Sequence, residues 1–421
     1  MFAVSPIIVF LIVYLVSSLI AGDFYKVPVT AAFLISAVYS VIICKEKTIE
    51  KKVDVFSEGV GDKNVMMMVW IFILAGAFAS TAKAIGSVDA TVGATLMIIP
   101  GKLIFAGLFL ASCFISMAIG TSVGTIVALV PIAAGIAAET DMSVSLITAI
   151  IVGGAFFGDN LSFISDTTIA STKTQGCDMS DKFKMNLRLA LPAAIIALAM
   201  YIFLGMQVES APELQRPDIL LVLPYVLIIT LALSGLNVML VLLIGLVVNS
   251  LIGLFYGSLT WLGLLGAIGD GITGMMELII VTLLASGVLA VIRHNGGIDY
   301  IVRVLTKRIS SRRAAEATIA GLVCLSNLCT ANNTIAIITA GGIARDISTR
   351  FGIDPRRTAS LMDTFSCFVQ SIIPYGAQLL MASGLAGVSA LSIAGKLYYP
   401  FLLGIIAIIT IIIGVPVGKR S

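Results

Sequence analysis

From Ile219 to Gly269 the chain carries no charged side chain, and shorter uncharged stretches recur at Val4 to Ala21, Val27 to Cys44, Leu103 to Ala138, Leu189 to Val208 and Leu397 to Gly418. About 20 apolar residues span a bilayer as an α-helix, which satisfies its own backbone hydrogen bonds where lipid offers no partner. The composition agrees. Of 421 residues, 59% are hydrophobic and 12% charged, and the mean hydropathy is +1.09, beyond what a soluble domain tolerates. The expected fold is an all-α polytopic membrane protein of roughly 11 to 13 transmembrane segments. It is read as one transport domain over residues 1–421 without a soluble appendage. Met1 to Val4 lacks a basic n-region, so the first helix is expected to remain as a span.

The six cysteines lie mostly in apolar runs and form no paired framework, so they read as small packing residues. A net charge of +3 comes from basic loops. It follows the positive-inside rule and does not indicate a nucleic-acid partner. Lys45, Lys47, Lys51 and Lys52 follow the second apolar run, which places that loop and the N-terminus in the cytoplasm. Lys419 and Arg420 place the C-terminus there too, in a cytoplasmic (inner) membrane. The segments Lys173 to Arg188, Arg293 to Arg313 and Arg345 to Arg357 are likewise read as basic cytoplasmic loops.

Two polar interruptions break the apolar pattern: Gly120-Thr121-Ser122-Val123-Gly124-Thr125, and Ser326-Asn327 through Asn332-Asn333-Thr334. Each is followed by small residues and then an aspartate, Asp159 or Asp363, which marks an internal repeat with cores at 102–190 and 312–395. The first copy then meets Glu139 and Asp141, the second Arg345, Arg350, Arg356 and Arg357. Opposite loop charge predicts opposite topology, and inverted repeats with discontinuous helices are a secondary-transporter architecture. Unwound backbone exposes carbonyls and amides to an ion, glycine supplies the dihedral freedom, and Ser, Thr and Asn supply oxygens. Close helix packing is the plainer use of the same small residues.

Three carboxylates fall in or beside apolar runs. Asp159 ends the uncharged run from Met142 and has no basic residue within ten positions on either side. With Asn160, Ser162, Ser165, Thr167 and Thr168 around it, it is read as holding either a proton or a hard monovalent cation. Asp166 is a second ligand or a helix N-cap. Asp363 is a third ligand or an anchor at the membrane surface. Ser371 to Gly376, with Pro374, offers a further break expected to face the first-half site. The binding set is therefore Thr121, Ser122, Thr125, Asp159, Asn160, Ser162, Ser165, Asp166, Thr167, Thr168, Asn332, Asn333, Thr334 and Asp363, with sodium at Asp159, Ser165 and Asp166.

The run Gly-Ala-Phe-Phe-Gly-Asp159-Asn160-Leu161-Ser162-x-Ile-Ser165-Asp166-Thr167-Thr168 resembles the signature of the NhaC-type sodium/proton antiporters of the ion-transporter superfamily. Gly120 to Thr125 upstream and Leu361-Met362-Asp363-Thr364 to Pro374 downstream extend the resemblance over about Gly120 to Gly376. It implies exchange of sodium for protons by alternating access, with some members exchanging amino acids or dicarboxylates instead. It carries the ion site onto Asp159 and Asp166 with their hydroxyl neighbours. The family commonly has proline where this chain has Phe163, which bears on the substrate more than on the fold.

An organic-solute transporter on the same scaffold is the first alternative, with Asn332, Asn333 and half-helix N-termini holding a carboxylate; no Lys or Arg stands out in sequence to serve it at depth. An intramembrane aspartyl protease using Asp159 and Asp363 is the remote one. No phosphate-binding glycine loop is present, no cofactor is expected, and a homodimer is compatible with this reading. His294 reads as a solvated loop residue within reach of a pH-sensing role. Asp270 and Glu277 read as an extracellular turn or a gate, Lys83 as a boundary residue or a partner for a buried acid, and Lys45 to Asn64 as an interfacial helix or loop.

Overall fold

The computed structural model describes residues 2–21, 27–98, 101–140, 142–163, 165–206, 218–234, 236–306 and 309–414. Asp141 and the Lys419-Arg420 tail, used above for loop charge and orientation, lie outside them. Among the described residues the regular structure is helical throughout. The first half holds α1 (Ser5–Ala21), α2 (Val29–Ile43), α3 (Ile49–Val60), α4 (Lys63–Ala84), α5 (Ser87–Ile98), α6 (Ile104–Ile119), α7 (Ser122–Glu139), α8 (Val144–Leu161), α9 (Asp166–Gln175) and α10 (Met179–Gly205). The second holds α11 (Ile219–Leu233), α12 (Val238–Phe255), α13 (Trp261–Gly274), α14 (Met276–His294), α15 (Gly297–Thr306), α16 (Arg312–Thr330), α17 (Asn333–Arg350), α18 (Pro355–Ile372), α19 (Ala377–Ala386), α20 (Ala390–Ala394) and α21 (Tyr398–Ile413).

Seven helical stretches among the described residues are long and apolar enough to cross a membrane, and five shorter apolar helices accompany them. The chain is a multi-pass membrane protein. Its helices run in the same order twice, α1 to α10 and then α11 to α21, with the short α20 inserted. The intervals from Ser122 to Asn333, Val144 to Pro355 and Asp166 to Ala377, three matched helix starts, are identical. Packing follows the same scheme: α4 lies on α13 as α14 lies on α3, α7 meets α19 as α17 meets α9, and α8 meets α21 as α18 meets α10.

Small residues set the closest contacts around the site. Ser112 and Ser116 of α6 donate to the carbonyls of Ile151 (2.6 Å) and Ala155 (2.5 Å) on α8. Between them, a Cβ on Gly154 would come within 2.7 Å of the Ser112 Cβ, and one on Gly158 within 2.4 Å of both the Ser116 Cβ and the Met117 amide. Without a hydrophobic drive between helices in lipid, such backbone-to-backbone approach is what holds α8 against α6. The residue after Gly158 is Asp159, so this seam also fixes the acid.

The segments read as loops are mostly helix ends. Lys173 closes α9, and Lys182 to Arg188 belong to α10. Arg345 and Arg350 are exposed on α17. Arg356 pairs with Asp354 (2.7 Å), whereas Arg357 is buried against Glu316 (2.9 Å). Lys45 to Asn64 contains α3, which lies on α14 with Phe56 over Gly287. Lys83, Asp270 and Glu277 are exposed.

Candidate functional site

Both halves break at the same places. α6 ends at Gly120, in the left-handed region (φ 78°), and α7 restarts at Ser122; α16 ends at Ala331 (φ 47°), and α17 restarts at Asn333. α8 stops at Leu161 and α9 begins at Asp166, while α18 stops at Ile372 and α19 begins at Ala377. The starts of α7, α9, α17 and α19 all line one cavity of about 450 Å³. Apolar residues of α4 and α12, among them Met67, Phe72 and Met239, close its sides.

Asp159 is at this cavity, 5% exposed. Its Oδ1 accepts from Ser165 Oγ at 2.5 Å and its Oδ2 from Ser122 Oγ at 3.0 Å. One donor stands at the α7 break and the other at the α9 break, so the acid's geometry is set by both interruptions. Ser165 occupies the N-cap position of α9 yet makes no capping bond; its hydroxyl serves Asp159 and meets Thr167 Oγ1 at 2.9 Å. Asp166, read as a ligand or an N-cap, is the first residue of α9, exposed and lining the cavity.

The cavity also brings Thr121, Thr167, Asn332, Asn333 and Thr334 to Asp159. Asn332 caps α17 by accepting from the Ile335 amide (3.0 Å). Thr125 is turned into its own helix, donating to the Thr121 carbonyl (3.2 Å), and is not among the lining residues. Asn160, Ser162, Thr168 and Asp363 stand behind the cavity wall.

Asp363 is neither at an interface nor at a turn: it lies within α18, 0% exposed. A buried lysine not singled out in the sequence, Lys182, 1% exposed, places its Nζ 2.6 Å from Asp363 Oδ2. Asn160 and Asn186 donate to the same oxygen at 3.0 and 2.7 Å. Sequence reading missed Lys182 because it sits among charges near a helix start. The signal was periodic: Lys182, Asn186, Leu189, Ala193, Ala197 and Tyr201 form one buried stripe along α10.

Two glutamines were also missed. Gln370 donates to Gln378 Oε1 (2.8 Å) and to the Ala331 carbonyl (3.0 Å), and Gln378 donates to Ser122 Oγ (3.2 Å), which donates to Asp159. Both line the cavity. At the repeat interval Gln370 is the counterpart of Asp159, so one half supplies a carboxylate and the other an amide. His294 is away from this cavity, half exposed, with Nε2 3.0 Å from Glu46 Oε1.

Broken apolar helices meeting at a polar cavity define a membrane transporter. The chain matches the Na+/H+ antiporter family over residues 1–206 and 218–417, and it belongs to that family. The malate-2H(+)/Na(+)-lactate antiporter of Bacillus subtilis (strain 168) is 23% identical over 382 residues, 81% of this chain and 79% of that protein. The Na(+)/H(+) antiporter NhaC of the same organism is 25% identical over 406 residues, 87% of each. That of Alkalihalophilus pseudofirmus (strain ATCC BAA-2126 / JCM 17055 / OF4) is 22% identical over 333 residues, 72% of this chain and 71% of its own. Among solved structures, the YdaH transporter of Alcanivorax borkumensis aligns with a TM-score of 0.41 and 13% identity, covering 85% of this chain and 87% of that one. The family transports and does not catalyse, which removes the protease reading.

Proposed function

We propose that the protein exchanges sodium for protons across the cytoplasmic membrane by alternating access, with Asp159 as the seat that the two cations occupy in turn. The observation that carries this is the placing of Asp159: a nearly buried acid, held by hydroxyls from two helix breaks, on the wall of a cavity. A charged carboxylate at bilayer depth costs about 3 kcal/mol, a cost that a bound proton or a sodium ion each removes. Ser122, Ser165 and the cavity's Thr121 and Thr167 add oxygens suited to a hard cation, and Asp166 lines the same cavity. The inversion of the halves is supported by exposed Arg345 and Arg350 at the end of α17 against Glu139 at the end of α7.

In inside-out vesicles holding a preset pH gradient, added sodium should dissipate the gradient. The Asp159→Asn protein should leave it standing, and continued dissipation by that variant would remove Asp159 from the mechanism.

A second reading has support of its own. The starts of α7, α9, α17 and α19 point their positive dipole ends at the cavity, which favours an anion, and about 450 Å³ exceeds what a bare ion fills. One relative is named as an antiporter of malate and lactate. On this reading Asn332, Asn333, Gln370 and Gln378 hold a small carboxylate beside the sodium seat. Labelled malate or lactate entering sodium-loaded vesicles separates it from plain ion exchange.

A further inference from the structure

Behind the cavity wall, the Lys182 ammonium is coordinated as a small cation would be. Its Nζ lies 2.6 Å from Asp363 Oδ2, 2.7 Å from the Asn160 main-chain carbonyl and 2.7 Å from Thr168 Oγ1. The carbonyl is available because α8 stops at Leu161, which frees the last carbonyls of that helix from their internal partners. A carboxylate, a main-chain carbonyl and a hydroxyl are the oxygen donors that hard cations take at helix breaks. Three more oxygens of the cluster, Asp363 Oδ1, Asn160 Oδ1 and Asn186 Oδ1, are buried with no partner. Buried polar atoms are rarely left so, and here they belong to the residues that surround the ammonium.

We propose that Asp363, the Asn160 carbonyl and Thr168 form a second seat for a monovalent cation, filled by Lys182 as a tethered ion. The mobile cation is then confined to Asp159. This rests on the sodium-exchange reading above and adds to it the number of ions bound. Removing the lysine amine empties the seat and leaves an oxygen cage of the right chemistry for sodium. Two of its three ligands come from the first half, on α8 and α9, and one from α18 of the second, while Lys182 reaches in from α10. The tether therefore also holds the middle of α18 against the first-half break between α8 and α9.

The test is radioactive sodium binding to the purified full chain in lipid nanodiscs at alkaline pH. The wild-type protein should bind one ion, Asp159→Asn none, Lys182→Ala two, and Lys182→Ala with Asp363→Asn one. A folded Lys182→Ala protein that still binds one ion, or a wild type that binds two, overturns the proposal. Retention of an ion by Asp159→Asn would instead strike the Asp159 reading, leaving the difference between the two Lys182 variants to judge the second seat. If Lys182→Ala does not fold in choline chloride, sodium should restore its melting transition. A variant that stays unfolded in molar sodium overturns the proposal as well.

Discussion

Ser165 stands where a helix cap stands and spends its hydroxyl elsewhere. It begins α9 without a capping bond and donates to Asp159 at 2.5 Å. Ser165→Ala should therefore leave the stability of α9 nearly unchanged, where loss of a true cap costs about 1 kcal/mol. Its effect should fall on the acid. A hydrogen bond to a charged group contributes about 1.5–3 kcal/mol, so apparent sodium affinity should drop at least about tenfold. Sodium-dependent currents together with a thermal melt check both halves of that expectation. A capping role would reverse the pattern, lowering the melt and sparing the affinity. The hydroxyl-rich run from Asp159 to Thr168 stood out in the sequence as a candidate ion site because polar atoms at bilayer depth need a reason. Which hydroxyl faces the acid was not legible, since that depends on how the start of α9 is set against the end of α8 in three dimensions.

The helix breaks were readable as elements. Glycine, serine, threonine and asparagine interrupt long apolar runs at both positions, and the structure breaks there. The partners across the breaks were not readable: Gln370, Gln378 and Lys182 reach Ser122, Ala331 and Asp363 only through tertiary packing. At the first break Gly120 takes the left-handed conformation without penalty; its counterpart is Ala331, the one non-glycine residue with positive φ among the described residues. For an L-residue that conformation costs about 1–2 kcal/mol, while glycine loosens the unfolded chain by about 0.4–1 kcal/mol. Ala331→Gly should thus raise stability, and Gly120→Ala lower it, by up to about 1.5 kcal/mol, measured by thermal unfolding in detergent. The α6–α8 seam is less forgiving. A methyl on Gly158 meets the backbone amide of Met117 at 2.4 Å, so Gly158→Ala should cost about 1–3 kcal/mol. It should also weaken sodium binding to the folded protein in lipid nanodiscs, because Asp159 moves with the helix.

At the scale of the whole molecule the two halves are not interchangeable. The same helix order serves both, and α7 on α19 mirrors α17 on α9, yet the first half carries Asp159 where the second carries Gln370. The carboxyl can trade a proton for a cation; the amide can only donate and accept hydrogen bonds. On the proposed exchange, with Asp363 held by Lys182 behind the cavity wall, proton and sodium compete for Asp159. The sign of the pH dependence follows. As pH falls, protons fill the Asp159 seat, and the sodium concentration needed for half-maximal exchange should rise about tenfold for each unit once the acid is mostly protonated. At high pH the seat is already free of protons, so the requirement should level off at the intrinsic sodium affinity. Exchange measured at several fixed sodium concentrations should then give activity curves that shift to lower pH as sodium increases, with the maximal rate reached at each pH by adding enough sodium. A half-maximal sodium concentration that stays constant across pH would mean that the two ions use separate places, and the single-seat exchange would have to be given up for a coupled two-site cycle.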